Sequence, residues 1–166
     1  MIYYIAGIIV LLADIFTKKI AAAALSGGVS IPIIKNVFHL TYVENRGIAF
    51  GAFSGGRTFF IIVSIIMIAA LFVYLYRTPK EKRTICQKIS IALVIGGAVG
   101  NLVDRVRLGY VIDFFDFRLI DFPVFNVADI AVCIGVGILM IHLIFFDDNS
   151  KTDKTERHES QDRSPE

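Results

Sequence analysis

The sequence predicts an all-α membrane protein: four transmembrane helices at about residues 2–25, 59–76, 89–104 and 124–146, with a small extracytoplasmic β layer and an outer loop between helices 3 and 4. Three observations carry this. The 166-residue chain is 55% hydrophobic with a mean hydropathy of +0.67, against about 45–50% apolar residues in an ordinary soluble domain. The apolar residues fall into long runs, and about 20 of them span the hydrocarbon core of a bilayer. Ionisable and amide side chains crowd the ends of the last two runs. A charge near the bilayer centre costs roughly 2.5–3.5 kcal/mol on insertion scales, so such residues mark a functional site. A net charge of +2 is too small to suggest nucleic acid, and no such partner is expected.

The first run, Ile2 to Leu25, is apolar except for Asp14, Thr17, Lys18 and Lys19. A secretory signal would open with basic residues and keep its apolar core uncharged, so a retained helix is expected instead. Asp14 and Lys18 stand at i, i+4 and can pair, either as part of a site or as a helix-end pair reaching outward. Gly27-Gly28 ends the helix. Val37 to Val43 is rich in β-branched and aromatic residues and reads as a strand, with Ile48 to Phe53 also extended; His39 is expected to face water. The second span is followed by Arg77, Lys80, Lys82, Arg83 and Lys88, the densest basic loop of the chain. Short basic loops stay cytoplasmic, which puts both termini inside and the other two loops outside.

In the third span Gly96 and Gly100 allow another helix to approach closely. Pro123 precedes the fourth span, where proline suits a helix start, and Asn126 and Asp129 share a face one turn inside it. Residues 1–146 form a single domain, and the polar tail 147–166 is expected to be disordered in the cytoplasm. Cys86 and Cys133 have no partner at metal-ligand spacing, and neither metal nor cofactor is expected.

This topology brings Asp113, in the outer loop, and Asp129, near the outer end of span four, to one membrane face. Two carboxylates held close do not both ionise easily, so one keeps a proton and the other does not. Such a pair can take a proton from water and donate one to a scissile carbonyl or leaving amine. Paired aspartates also serve as structural acceptors or ion sites, so spacing alone leaves these open. A transporter would place charges on both sides of the midplane and often show internal repeats, whereas here they lie on one side and no repeat is evident. A non-enzymatic assembly factor would use the polar residues only as interhelical glue.

The stretch Gly96 to Arg105, GGAVGNLVDR, resembles the GGAxGNxxDR box of lipoprotein signal peptidases (signal peptidase II). Val111-Ile112-Asp113-Phe114 is similar to their VxDF element and Phe125 to Asp129 to their FNxAD element. Asp14 with Thr17-Lys18 resembles the first-helix Asp-x-x-Thr-Lys, and Asn45 to Phe50 the NxGxAF segment. The resemblance implies an aspartic endopeptidase of the bacterial cytoplasmic membrane, with its active site near the extracytoplasmic face. Its implied substrate is a diacylglyceryl-prolipoprotein, cut just before the lipidated cysteine, and its implied inhibitor is of the globomycin type. Asp113 and Asp129 are the implied catalytic pair, with Asp14, Lys18, Asn45, Gly47, Asn101, Arg105 and Asn126 supporting the site or positioning substrate.

Overall fold

The computed structural model describes residues 2–47, 56–79 and 83–146. The segment read as extended after Gly47, part of the basic loop and the tail lie outside these residues. The order of elements is α1 (Ile2–Leu25), β1 (Ser30–Ile34), β2 (Phe38–Asn45), α2 (Arg57–Arg77), α3 (Ile85–Arg107), β3 (Val111–Phe117), a 3-10 turn (Arg118–Ile120) and α4 (Val127–Phe146). Three of the helices, Arg57–Arg77, Ile85–Arg107 and Val127–Phe145, are long and apolar enough to cross a membrane. The 24-residue α1 carries Asp14, Lys18 and Lys19 within its length. Large apolar side chains such as Ile9, Leu12, Phe16, Ile66, Phe72, Ile141 and Ile144 are exposed around the bundle. Water does not tolerate so extensive an apolar surface on a monomer, whereas lipid does.

Helix α3 is the hub, packing against α1, α2 and α4. Its small residues make this possible. A Cβ on Gly96 would meet Gly7 O of α1 at 2.5 Å, one on Gly97 would strike Ala128 O of α4, and one on Gly100 would strike the Asp14 carboxylate. The helix begins at Ile85 rather than near residue 89, because Thr84 and Gln87 form a capping box: Gln87 N donates to Thr84 Oγ1 (3.2 Å) and Thr84 N donates to Gln87 Oε1 (3.0 Å). At its other end, Arg57 of α2 donates to Arg105 O (2.8 Å) and Val106 O (2.7 Å), a cation on the last carbonyls of a helix C-terminus.

The link between α3 and α4 is not simply a loop, as the sequence suggested. It contains β3, which completes an antiparallel sheet of order β1-β2-β3. Ile112 and Phe114 of β3 pack on Ala21 and Leu25 of α1, with Leu40 and Tyr42 of β2 beside them. The sheet therefore sits on the last turns of α1. Beyond β3 the chain stays extended, and Phe125 pairs with Phe115 through N–H···O bonds of 2.8 and 3.1 Å. That pairing delays the start of α4 to Val127, three residues past the predicted start.

Two polar residues of the sheet differ from expectation. His39 is buried rather than facing water, with Nδ1 at 3.2 Å from Ser30 Oγ. Asp116 falls in the stretch predicted as the outer loop between helices 3 and 4. It is instead buried in β3, accepting from Thr41 Oγ1 (2.7 Å) and Arg118 Nε (2.8 Å). Burial pushes its carboxyl up, but these bonds and the guanidinium charge outweigh that and hold it below the ordinary range. The cluster ties all three strands together.

Candidate active site

The sheet and the adjoining helix ends bring Asp113, Asp129, Asn126, Asn101, Asn45, Lys18 and Asp14 into one connected polar centre. It begins with the start of α4. Asn126 is the N-cap and Asp129 the third helical residue: Asp129 N donates to Asn126 Oδ1 (3.0 Å) while Asn126 N donates to Asp129 Oδ2 (3.1 Å). This reciprocal pair is a capping box with Asn and Asp in place of the usual Ser/Thr and Glu. The two residues are thus the entrance of the helix, not a turn inside it. The Asp129 carboxylate thus sits at the N-terminus of α4, where the helix carries its partial positive charge.

Asp113 comes from β3, opposite Val43 of β2. A register shift between Leu40 and Val43 adds one residue to β2, and such a bulge resets which side chains face the site. Asn45 lies two residues beyond Val43, so it is the diagonal neighbour of Asp113 on the same face. Its Nδ2 donates to Asp113 Oδ2 (2.8 Å), and Asn126 Nδ2 donates to Asp113 Oδ1 (2.6 Å). Asp113 is 1% exposed. Burial, reinforced by the charge of Asp129, pushes its carboxyl up to about 7 against the opposing effect of the Asn45 and Asn126 bonds.

Each carboxamide is oriented by a group that can only donate, and this fixes which end faces the acids. Gly47 N donates to Asn45 Oδ1 (3.1 Å), which turns the amide nitrogen of Asn45 toward Asp113. Asp129 N does the same for Asn126. For Asn101 the donor is the Lys18 ammonium, 2.8 Å from Oδ1, and Asn101 Nδ2 then donates to Asp129 Oδ1 (2.8 Å). Lys18 Nζ also lies 2.8 Å from Asp14 Oδ2 and 3.0 Å from Asp104 Oδ2, so the ammonium forms ion pairs with both carboxylates while it donates to Asn101. The outward-reaching alternative for the Asp14–Lys18 pair does not hold: their side chains are 0% and 3% exposed. Asp14 Oδ1 accepts from Ala128 N (3.0 Å), which joins the middle of α1 to the first turn of α4.

Arg105 stands at the edge of this centre. It makes no ion pair with its neighbour Asp104, which is committed to Lys18; its guanidinium lies over the Phe60 ring at 5.2 Å and contacts Asn101 O at 3.5 Å. Asp104 is the member that spacing arguments underrated, since it also accepts from Ile112 N (3.2 Å) and fastens α3 to β3. The signal was its place in the Asp-Arg pair one turn beyond Gly100. Among the described residues no group of three His, Cys, Asp or Glu converges to hold a metal ion. Cys86 and Cys133 are free thiols.

Both carboxylates line an open cleft of about 520 Å³, walled otherwise by Asn45, Phe122, Pro123, Val124, Phe125, Ile130, Cys133 and Ile134. Two acids under a small sheet, at one end of a mainly helical bundle with membrane-capable helices, define a membrane protein with a buried polar centre. A solved structure described as a bacterial membrane enzyme shares the fold, with a TM-score of 0.80 and 34% identity over 89% of this chain and 90% of that one. The chain belongs to the signal peptidase II family: the family described as signal peptidase (SPase) II matches residues 6–145. Among its relatives, the lipoprotein signal peptidase of Halothermothrix orenii is 46% identical over 140 residues, 84% of this chain and 93% of the relative. That of Clostridioides difficile is 51% identical over 122 residues, 74% and 80% of the two chains.

Proposed function

We propose that this protein is an aspartic endopeptidase of the bacterial cytoplasmic membrane that removes the signal peptide from diacylglyceryl-modified prolipoproteins, cutting just before the lipidated cysteine. The observation that carries this is the bridge made by Asn126, whose amide nitrogen bonds Asp113 while its oxygen and backbone N–H hold Asp129. Two carboxyl groups spanned by one short side chain can share a single proton. Burial favours the proton on Asp113, while Asp129 accepts from the Asn101 amide and the Asn126 N–H.

In the reaction Asp129 accepts a proton from a water molecule between the two acids. The hydroxide oxygen adds to the scissile carbonyl carbon, and Asp113 gives its proton to the carbonyl oxygen. The tetrahedral intermediate then collapses: the C–N bond breaks, Asp129 passes its proton to the leaving amine, and Asp113 regains one from a hydroxyl of the intermediate. The step needs neither a metal nor a covalent acyl-enzyme. The apolar wall from Phe122 to Phe125 with Ile130 and Ile134 suits the substrate's lipid, and a globomycin-type cyclic peptide would occupy the same cleft. In this reading α1 is the fourth span, the sheet lies on the extracytoplasmic side and both termini are cytoplasmic.

The test is cleavage of a diacylglyceryl-modified prolipoprotein by the purified protein, followed by gel shift. Asp113→Asn and Asp129→Asn each remove one proton carrier and lower the rate by at least ~10²–10⁴-fold, the range for a lost general acid or base. Normal cleavage by both variants overturns the dyad. Chelator leaves the wild-type rate unchanged; inhibition reversed by added zinc or magnesium would instead indicate a metal enzyme.

A further inference from the structure

A second cavity lies at the opposite end of the bundle from the acids. Helices α1 and α2 both pack on α3 and leave a groove of about 250 Å³ between them. Its floor is the close contact of α1 with α3, where a Cβ on Gly7 would meet Ala92 O at 2.8 Å. Its sides come from Leu11 of α1 and Phe72 of α2. Along α3 the groove runs from Lys88 to Val99, roughly 16 Å at 1.5 Å rise per residue. At one end it is lined by two cations, Arg83 and Lys88. Lys88 Nζ stands over the Tyr3 ring at 5.8 Å, and Arg83 donates through Nε and one terminal nitrogen to Thr78 O and Leu75 O at the end of α2, so both cations are anchored at this mouth of the groove. No carboxylate is among the described residues lining it.

We propose that this groove holds one anionic phospholipid, with an acyl chain between α1 and α2 and its phosphate at Arg83 and Lys88. Length, an apolar interior and a cationic mouth all match that occupant. They do not match a signal peptide, whose leading segment is basic and would meet like charge here. The lipid is distinct from the substrate's diacylglycerol, which belongs to the cleft at the other end. It braces α2, which has no buried residue of its own.

The full chain in phosphatidylcholine vesicles, given a phosphatidylglycerol probe with a photoreactive acyl chain, tests this. Labelling is expected on peptides containing Gly7–Leu11 and Phe72–Leu75, competed by unlabelled phosphatidylglycerol and not by phosphatidylcholine. Lys88→Gln should lower it about fivefold, equivalent to the ~1 kcal/mol of one basic residue near anionic lipid. Ile8→Trp, which fills the groove and keeps both cations, should block it. Equal labelling by a phosphatidylcholine probe, no effect of either variant, or preferential labelling by a photoreactive signal peptide overturns the proposal. The readout is independent of proteolysis, so a failure here leaves the dyad untouched and the reverse also holds.

Discussion

Lys18 never touches either proposed catalytic acid, yet it decides how Asn101 faces Asp129. Replacing it with Met removes the ammonium from Asn101 Oδ1, which then keeps the Asn126 amide as its donor among the described residues, and takes the cation away from buried Asp14 and half-buried Asp104. Breaking a buried pair by deleting one partner costs about 3–5 kcal/mol, so Lys18→Met should melt at lower temperature by differential scanning fluorimetry. In the folded fraction kcat should drop with KM nearly unchanged, because the lost contact acts on the base rather than on substrate binding. A change confined to KM would contradict this. The pH profile is a second residue-scale expectation. Asp113 is raised from 3.8 to about 7, so its proton is present below neutrality and lost above. The kcat/KM of the free enzyme should fall as pH rises through about 7, tenfold per pH unit beyond it, the limb belonging to the coupled pair. A profile flat well above neutrality would assign the acid elsewhere. The residue types of the centre were legible in the chain, since Asp and Asn among apolar segments have few other uses. The donors that orient them were not: backbone N–H groups of Gly47, Asp129 and Ala128 leave no mark in a sequence.

At the scale of elements, the small residues of α3 set the distances on which the centre depends. Gly97 faces Ala128 O, within the first turn of α4, one helical turn before Asn101 bonds Asp129. Gly97→Val should force the two helices apart, with a loss of about 1–3 kcal/mol in stability typical of overpacking and a collapse of cleavage. Gly137→Ala, where nothing stands within 4 Å, should leave both unchanged and serves as the control in thermal unfolding and gel-shift assays. Equal tolerance of both changes would mean that α3 and α4 are not fixed by close contact. The helices were legible because long apolar runs have few alternatives, and β2 because its β-branched and aromatic residues partly alternate. Strand β3 was hidden. Its sequence, VIDFFDF, has no alternation, since nearly every residue is buried by helix α1 on one side and polar partners on the other. Pro123 was a misleading start signal: the following residues pair with β3 before any helix can begin.

For the whole molecule, the question is whether α1 crosses lipid while carrying Asp14 and Lys18. Hydropathy counts those charges against it, but the folded bundle removes them from lipid. Both side chains are enclosed by α3 and α4, and the ammonium pairs with two carboxylates while it donates to Asn101. The intramembrane cost of an isolated charge therefore does not apply once α1 has docked. Asp14 lies twelve residues beyond Ile2, about 18 Å along the helix, so a spanning α1 would set the polar centre past the middle of a ~30 Å hydrocarbon layer and toward the sheet. The last turns of α1, with Ala21 and Leu25 under β3, then emerge on the sheet side. If α1 spans, the sheet and the loop after α2 must lie on opposite sides of the membrane. Single cysteines introduced into a variant lacking Cys86 and Cys133 check this: Lys35→Cys or Glu44→Cys should react with an impermeant maleimide added outside intact cells. Thr78→Cys should react only after the membrane is opened. Labelling of both from the outside would leave α1 lying on the surface rather than crossing, and the Asp14–Lys18 pair would then have no lipid to be hidden from.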